Sequence, residues 1–348
     1  MDFSFFVMLV GFILASYSVV GNDVIQTLGT FLSSNEKRPW WVLFLFAGSI
    51  LSATLIYGWL DPNDTYTYGI AYGRLDKFEI PSQLTWYYLL PPLVLLSVTR
   101  LGIPVSTTFM ILTLFSLSSI EGNSVGEILG AMLNLESKLG GMVQKSLMGY
   151  MIAFSAAIAI YLFTTRLFER RFLENPLTDQ SRRFWTVAQW LSTGFLWWQW
   201  LTQDLANIYI YLLGKGELSP TLFIISLLII LALLGYIFYS KGGAVQRIVK
   251  AKTNTTDIRS ATFIDLIYGV VLYIFKYDYF GLWGAKLPMS TTWVFIGLLA
   301  GREIAIRIQL EKRLSKATLS DIGRDLLKVL AGLVISVLLV IVIKLIGG

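Results

Sequence analysis

One short pattern occurs twice in this chain and restricts what the rest can fold into. Gly102-Ile103-Pro104-Val105-Ser106-Thr107-Thr108-Phe109 returns as Lys286-Leu287-Pro288-Met289-Ser290-Thr291-Thr292-Trp293, each copy set between apolar runs. Pro followed by hydroxyls is how a helix begins, because Pro suits the first turn and Ser or Thr accepts from its free N–H groups. At membrane depth no water solvates those groups, so a helix starting there needs a partner. An anion is the natural one, drawn by the N–H groups and the positive end of the helix dipole. Two such starts point to one anion held between two halves of a transporter.

The surrounding sequence supplies the membrane. Of 348 residues, 55% are hydrophobic and 14% charged, with a mean hydropathy of +0.66; a soluble domain carries roughly 25% charged residues. There is no Cys and no His, which removes disulfides, thiol chemistry, the commonest general base and the usual proton shuttle. The net charge of +6 follows membrane topology and gives no reason to expect nucleic acid.

The expected spans are Phe3–Leu32, interrupted at Gly21-Asn22-Asp23, then Trp40–Leu60, Leu147–Phe163, Phe184–Leu213, interrupted at Gln203-Asp204, Thr221–Tyr239 and Ala331–Ile346. The first run is too long, and too directly continued by apolar sequence, to read as a removable signal. Short apolar segments flank each Ser-Thr-Thr: Leu84–Val98 and Val105–Leu117, then Ala261–Phe275 and Met289–Leu299. Glu121–Lys145 reads as a weakly amphipathic interfacial helix, and Arg302–Lys328, charged in both signs, as a cytoplasmic hairpin or loop. Most of the eleven tryptophans, Trp185 and Trp283 among them, suit membrane interfaces. Trp197-Trp198-Gln199-Trp200 falls inside a span and reads as bulky packing.

The repeat extends beyond one motif. Asn22-Asp23-Val24-Ile25-Gln26 answers to Gln203-Asp204-Leu205-Ala206-Asn207, and each aspartate precedes its Ser-Thr-Thr by a similar distance. Two unlike motifs recurring in order define residues 1–165 and 184–348 as two membrane repeats joined by a basic linker, 166–183. Lys and Arg near span ends mark the cytoplasmic side, so 36–38, 166–183, 241–259 and 302–316 are expected inside. The loops 61–79 and 121–136 are expected outside. The two long runs then cross in opposite directions, so the repeats are inverted and both termini lie outside. The expected fold is an all-α polytopic cell-membrane protein with two inverted repeats, discontinuous helices and helix starts near the midplane.

These residues resemble the inorganic phosphate transporter (PiT) family of cation-coupled anion symporters. The family signature Gly-Ala-Asn-Asp-Val-Ala-Asn-Ala-Phe-Gly-Thr is matched by Asn22-Asp23-Val24, Gly29 and Thr30. Its Pro-Val-Ser-Thr-Thr-His element is matched by Pro104–Thr108 and by Pro288–Thr292. The resemblance covers essentially the whole chain as a divergent member. It implies that Ser106, Thr107, Thr108, Ser290, Thr291 and Thr292 line a phosphate site, with Asn22, Asp23, Asp204 and Asn207 serving the cation or the anion beside it. The departures are Gln26 and Gln203 in place of family Asn, and Phe109 and Trp293 in place of family His. Relatives in this family also carry sulfate.

An aspartate inside a membrane costs ~2.5–3.5 kcal/mol to insert and is functional by default, which singles out Asp23 and Asp204. They cannot neutralise an anion, being negative themselves, so they are expected to hold cations whose charge offsets both. The carboxylate oxygens of Asp23 and Asp204 and the amide oxygens of Asn22, Gln26, Gln203 and Asn207 make a hard-cation shell suited to sodium. Protons on the aspartates are the alternative coupling ion. Apart from these ions no cofactor is expected; the partners are phosphate or a similar tetrahedral oxyanion and the lipid bilayer, and a homo-oligomer stays open. Arg100 and Lys286, close to the Ser-Thr-Thr copies, read either as loop charges or as counter-charges for the anion. Asp265 and Lys276 read as a structural pair or as interfacial. No Ser/Lys or carboxylate constellation indicates an enzyme. A channel would not need paired carboxylates, and a membrane scaffold would be indifferent to Ser106 and Ser290.

Overall fold

A computed structural model describes residues 3–61, 68–76, 78, 80–81, 83–100, 105–116, 125–134, 136–164, 178–213, 218–241, 257–278, 281, 289–311 and 316–347. Among them there are twelve α-helices and no strand. In chain order these are α1 (Phe3–Ser34), α2 (Trp40–Leu60), α3 (Leu90–Arg100), α4 (Thr107–Phe115), α5 (Val125–Leu133) and α6 (Lys138–Thr164), followed by α7 (Asp179–Asp204), α8 (Ala206–Tyr209), α9 (Pro220–Tyr239), α10 (Ile258–Tyr277), α11 (Thr291–Glu311) and α12 (Lys316–Gly347). Short 3-10 turns cover Tyr68–Ala71 and Trp86–Leu89. Six helices are long and apolar enough to cross a membrane: Phe3–Val24, Trp40–Leu60, Lys138–Phe163, Pro220–Tyr239, Ile258–Tyr277 and Thr318–Leu345. Leu45, Ile56, Leu228 and Val334 stand exposed on the outer surface, where lipid is their natural solvent. The chain is an all-helical, multi-pass membrane protein.

The helix course departs from the sequence reading in four places. First, α1 runs straight through Gly21-Asn22-Asp23 without a break. The polar side chains there bond to a neighbouring segment and leave the α1 backbone ladder alone. Second, the corresponding run starts at Asp179, where Thr178 Oγ1 accepts from Ser181 N at 3.3 Å, and its interruption is slight. Leu205 keeps right-handed helical angles (φ −57°, ψ −28°), and the course loosens into turns only after Tyr209. Third, the charged stretch beginning at Arg302 is mostly helix. It extends α11 to Glu311 and starts α12 at Lys316, with Arg307 Nε donating to Glu303 Oε1 at 2.8 Å along one face. Likewise α6 begins at Lys138 and absorbs the end of the stretch expected at the interface. Pro104, Pro288, Lys286, Trp283 and most of the two basic loops lie outside the described residues.

Central in the bundle is α1, which touches α3, α4, α7, α8, α9, α10 and α11. The closest pair, α6 with α11, meets on a small-residue stripe. A Cβ on Gly297 would sit 2.4 Å from Tyr150 O, and one on Gly301 2.2 Å from Phe154 O. Glycines here let two backbones touch, which is how membrane helices gain dispersion contact where no hydrophobic drive separates protein from lipid. Trp197 and Trp200 are buried and stack on each other, centroids 4.9 Å apart, while Trp197 Nε1 donates to Ala47 O of α2 at 2.9 Å. That pair packs the scaffold, as the sequence suggests.

Candidate anion and cation site

Both Ser-Thr-Thr copies are helix starts. Ser106 caps α4, its Oγ accepting from Phe109 N at 3.1 Å, and Ser290 caps α11, its Oγ accepting from Trp293 N at 3.3 Å. The two starts meet in the bundle interior and bond to each other reciprocally. Thr108 Oγ1 lies 3.3 Å from Met289 O, and Thr292 Oγ1 donates to Val105 O at 3.4 Å. Thr108 corresponds to Thr292 in the sequence repeat, and Val105 to Met289, so one exchange of residues maps each bond onto the other. Phe109 and Trp293, the next residues of the two copies, meet edge-on with centroids 6.2 Å apart. The two positions that follow the Ser-Thr-Thr copies are thus in aromatic contact between the helix starts.

Each aspartate is tied to the first start by a threonine. Thr107 Oγ1 donates to Asp23 Oδ2 at 2.6 Å, and Thr108 Oγ1 reaches Asp204 Oδ1 at 3.3 Å. Asn207 Nδ2 joins the two sides: it lies 2.9 Å from Asp204 Oδ1, 3.2 Å from Thr107 Oγ1 and 3.3 Å from Thr108 Oγ1. On the other side Asn22 Nδ2 donates to Asp23 Oδ1 at 2.7 Å and to Val105 O at 3.0 Å. The result is one continuous network, Asp23–Thr107–Asn207–Asp204, carrying two carboxylates close enough to repel each other. Asn22, Asp23, Ser106, Thr107, Thr108, Gln203, Asp204, Asn207, Ser290, Thr291 and Thr292 are each 2% exposed or less, so the arrangement is occluded from water.

Symmetry fails at the amides, where the two copies differ in sequence. Asn22 serves Asp23, but its counterpart Gln203 turns Nε2 to Leu272 O of α10 at 3.3 Å. Asn207 bridges the network, whereas its counterpart Gln26 is buried one turn along α1 and bonded to neither carboxylate. A consequence is that Asp204 Oδ2, Asn207 Oδ1 and Gln203 Oε1 are buried acceptor oxygens with no hydrogen-bond partner among the described residues. Leaving such atoms dry and unmatched costs ~1–3 kcal/mol each. All three belong to residues within about one helical turn, at the junction of α7 and α8.

Four further buried groups stand in the same bundle, of which the sequence singles out only Asp265. Ser146 Oγ of α6 accepts from Ser290 N at 2.9 Å, and Tyr268 O–H of α10 donates to Thr291 O at 3.0 Å, so both hold the second start in place. Asp265 is a third fully buried carboxylate. It accepts from Thr30 Oγ1 and, at 2.5 Å, from Thr193 Oγ1, and so knots α1, α7 and α10. It is therefore no partner of Lys276, whose Nζ lies 5.1 Å from the Tyr72 ring centroid and 5.2 Å from that of Trp198. The fourth is Arg74, buried in the turn that follows α2. Arg100, by contrast, is exposed at the end of α3.

A membrane bundle built around two opposed helix starts and a buried carboxylate pair is the fold class that these observations define. The fold is shared with a solved structure, "The sodium-dependent phosphate transporter", with a TM-score of 0.56 over 99% of this chain and 100% of that one at 18% sequence identity. No family model matches the sequence, and no curated protein matches it.

Proposed function

We propose that this chain is a secondary active transporter that imports inorganic phosphate across the cell membrane, coupled to a cation, sodium before protons. It works by alternating access around the occluded network, as two inverted repeats with both termini outside. The observation that carries this reading is the pairing of unlike demands in one place. Two helix starts favour an anion, while the two carboxylates and the two unpartnered amide oxygens of Gln203 and Asn207 favour cations. Neither ion is stable there alone, because a buried charge without compensation is strongly disfavoured. Bound together they stabilise each other, and that mutual requirement is what symport needs. The protein resembled in fold bears a name of the same kind.

Within this reading Ser106, Thr107, Thr108, Ser290, Thr291 and Thr292 form the phosphate cradle. Asn22, Asp23, Gln26, Gln203, Asp204 and Asn207 hold the cations, sodium lying at Asp23 and Asp204. Because Thr107 and Thr108 already spend hydrogen bonds on the carboxylates, a cation arriving at an aspartate frees hydroxyl protons for the anion. The test is uptake of labelled phosphate into proteoliposomes, with sodium and pH gradients imposed separately. Uptake driven by inward sodium alone is expected. Uptake driven only by pH makes the aspartates proton carriers, and preference for labelled sulfate over phosphate changes the substrate.

A further inference from the structure

The turn after α2 reads from sequence as a polar surface loop, yet it delivers a cation to the interior. Arg74 is 1% exposed. Its segment is fastened by Arg74 N donating to Ala71 O at 3.0 Å and by Tyr72 O–H donating to Thr54 O at 2.7 Å. Gly58 of α2 fits so tightly against it that a Cβ there would meet Gly69 O at 2.5 Å. The Tyr68–Ala71 turn packs on α7 and α8, the elements that carry Asp204 and Asn207, and the guanidinium lies within the field of Asp204. Burial lowers its pKa to about 10, with Asp204 acting in the opposite direction, so it is charged at neutral pH. Lys276, resting on the rings of Tyr72, Trp198 and Tyr277, lies within the field of Arg74. Asp204 Oδ2 nevertheless accepts no hydrogen bond among the described residues. The guanidinium therefore acts on Asp204 through its charge without occupying the oxygen cluster.

Taking the proposed transport as given, we propose that Arg74 is a resident counter-charge of the shared site, one that sets the balance between cation and anion affinity. Burial and its place within the field of Asp204 make Arg74 a fixed positive charge beside the two carboxylates. Arg74 repels a cation at Asp204 and attracts an anion at the helix starts, so its removal must move the two affinities in opposite directions. A residue that only supports the fold would lower both or neither.

The experiment measures equilibrium binding to the purified full chain in detergent. One arm titrates sodium alone, the other titrates inorganic phosphate at saturating sodium, for the native protein and for Arg74→Met, Arg74→Gln and Arg74→Lys. Loss of the charge is expected to tighten sodium and weaken phosphate by about threefold to thirtyfold each, the range for a unit charge several ångströms away in a partly polarisable interior. Arg74→Lys keeps the charge and should stay near native in both arms, which separates charge from folding. Parallel shifts in the two arms, or none, with native binding intact would overturn the role of Arg74 and leave the transporter reading standing. A native protein that binds neither ion would overturn both.

Discussion

Ser106 has two duties that a single substitution can separate. Its Oγ caps α4 by accepting from Phe109 N, and in the proposed transport its O–H faces the anion. Ser106→Ala loses both, at ~1 kcal/mol for the cap and ~1.5–3 kcal/mol for a hydrogen bond to a charged group. The half-saturating phosphate concentration should rise about tenfold to a hundredfold, with normal amounts of protein in the membrane. Ser106→Gly removes the hydroxyl at a cost to the cap of only about a few tenths of a kcal/mol. Phosphate affinity should then fall as far as in Ser106→Ala with the fold kept, whereas a purely structural serine would leave phosphate affinity unchanged. Asp23→Asn and Asp204→Asn keep size and one oxygen but remove the charge, and each should abolish sodium-driven uptake in proteoliposomes. Sequence alone was enough to bring these residues together, because charges and hydroxyls in apolar surroundings stand out and the repeat pairs them. Arg74 was invisible for the opposite reason: it lies in a stretch rich in Gly, Tyr and Asp, and nothing in that composition says that the turn folds inward. Asp265 has no counterpart in the first repeat, and threonines on two distant helices satisfy it.

Among elements, the α6–α11 contact is the most demanding. Gly297 and Gly301 leave no room for a side chain against the α6 backbone, while a Cβ at Gly130 of α5 would meet nothing within 4 Å. Gly301→Leu should force the helices apart, lower the thermal unfolding temperature in detergent and displace Ser290 from Ser146. Gly130→Ala serves as the control and should leave that temperature unchanged or raised, since Ala favours helix by ~1 kcal/mol over Gly. Equal effects would mean that the contact contributes little. Helix ends were the least legible part of the sequence. Asn22 and Asp23 look like a break in α1, but their side chains bond Val105 and Thr107, so the α1 backbone has no competitor and continues. The charges from Arg302 onward look like a loop, yet Glu303 and Arg307 sit one turn apart on a helix that continues α11.

For the whole molecule, the proposed inverted arrangement dictates which side of the membrane each connection faces, and the absence of Cys makes that easy to test. Gln83 and Lys241 are both exposed. An impermeant thiol reagent on intact cells should label Gln83→Cys and spare Lys241→Cys until the membrane is opened; labelling of both, or the reverse, would contradict the inverted topology. The reciprocal bonds Thr108–Met289 and Thr292–Val105 show why the two halves need each other: each supplies the acceptor for the other's helix start. The central claim is that anion and cation share the place where those starts meet, and equilibrium binding of labelled phosphate to the purified protein tests it most directly. Binding should be negligible in sodium-free buffer, appear on adding sodium and be lost in Asp204→Asn at any sodium concentration. Equal phosphate binding with and without sodium, or native-like binding in Asp204→Asn, would contradict it.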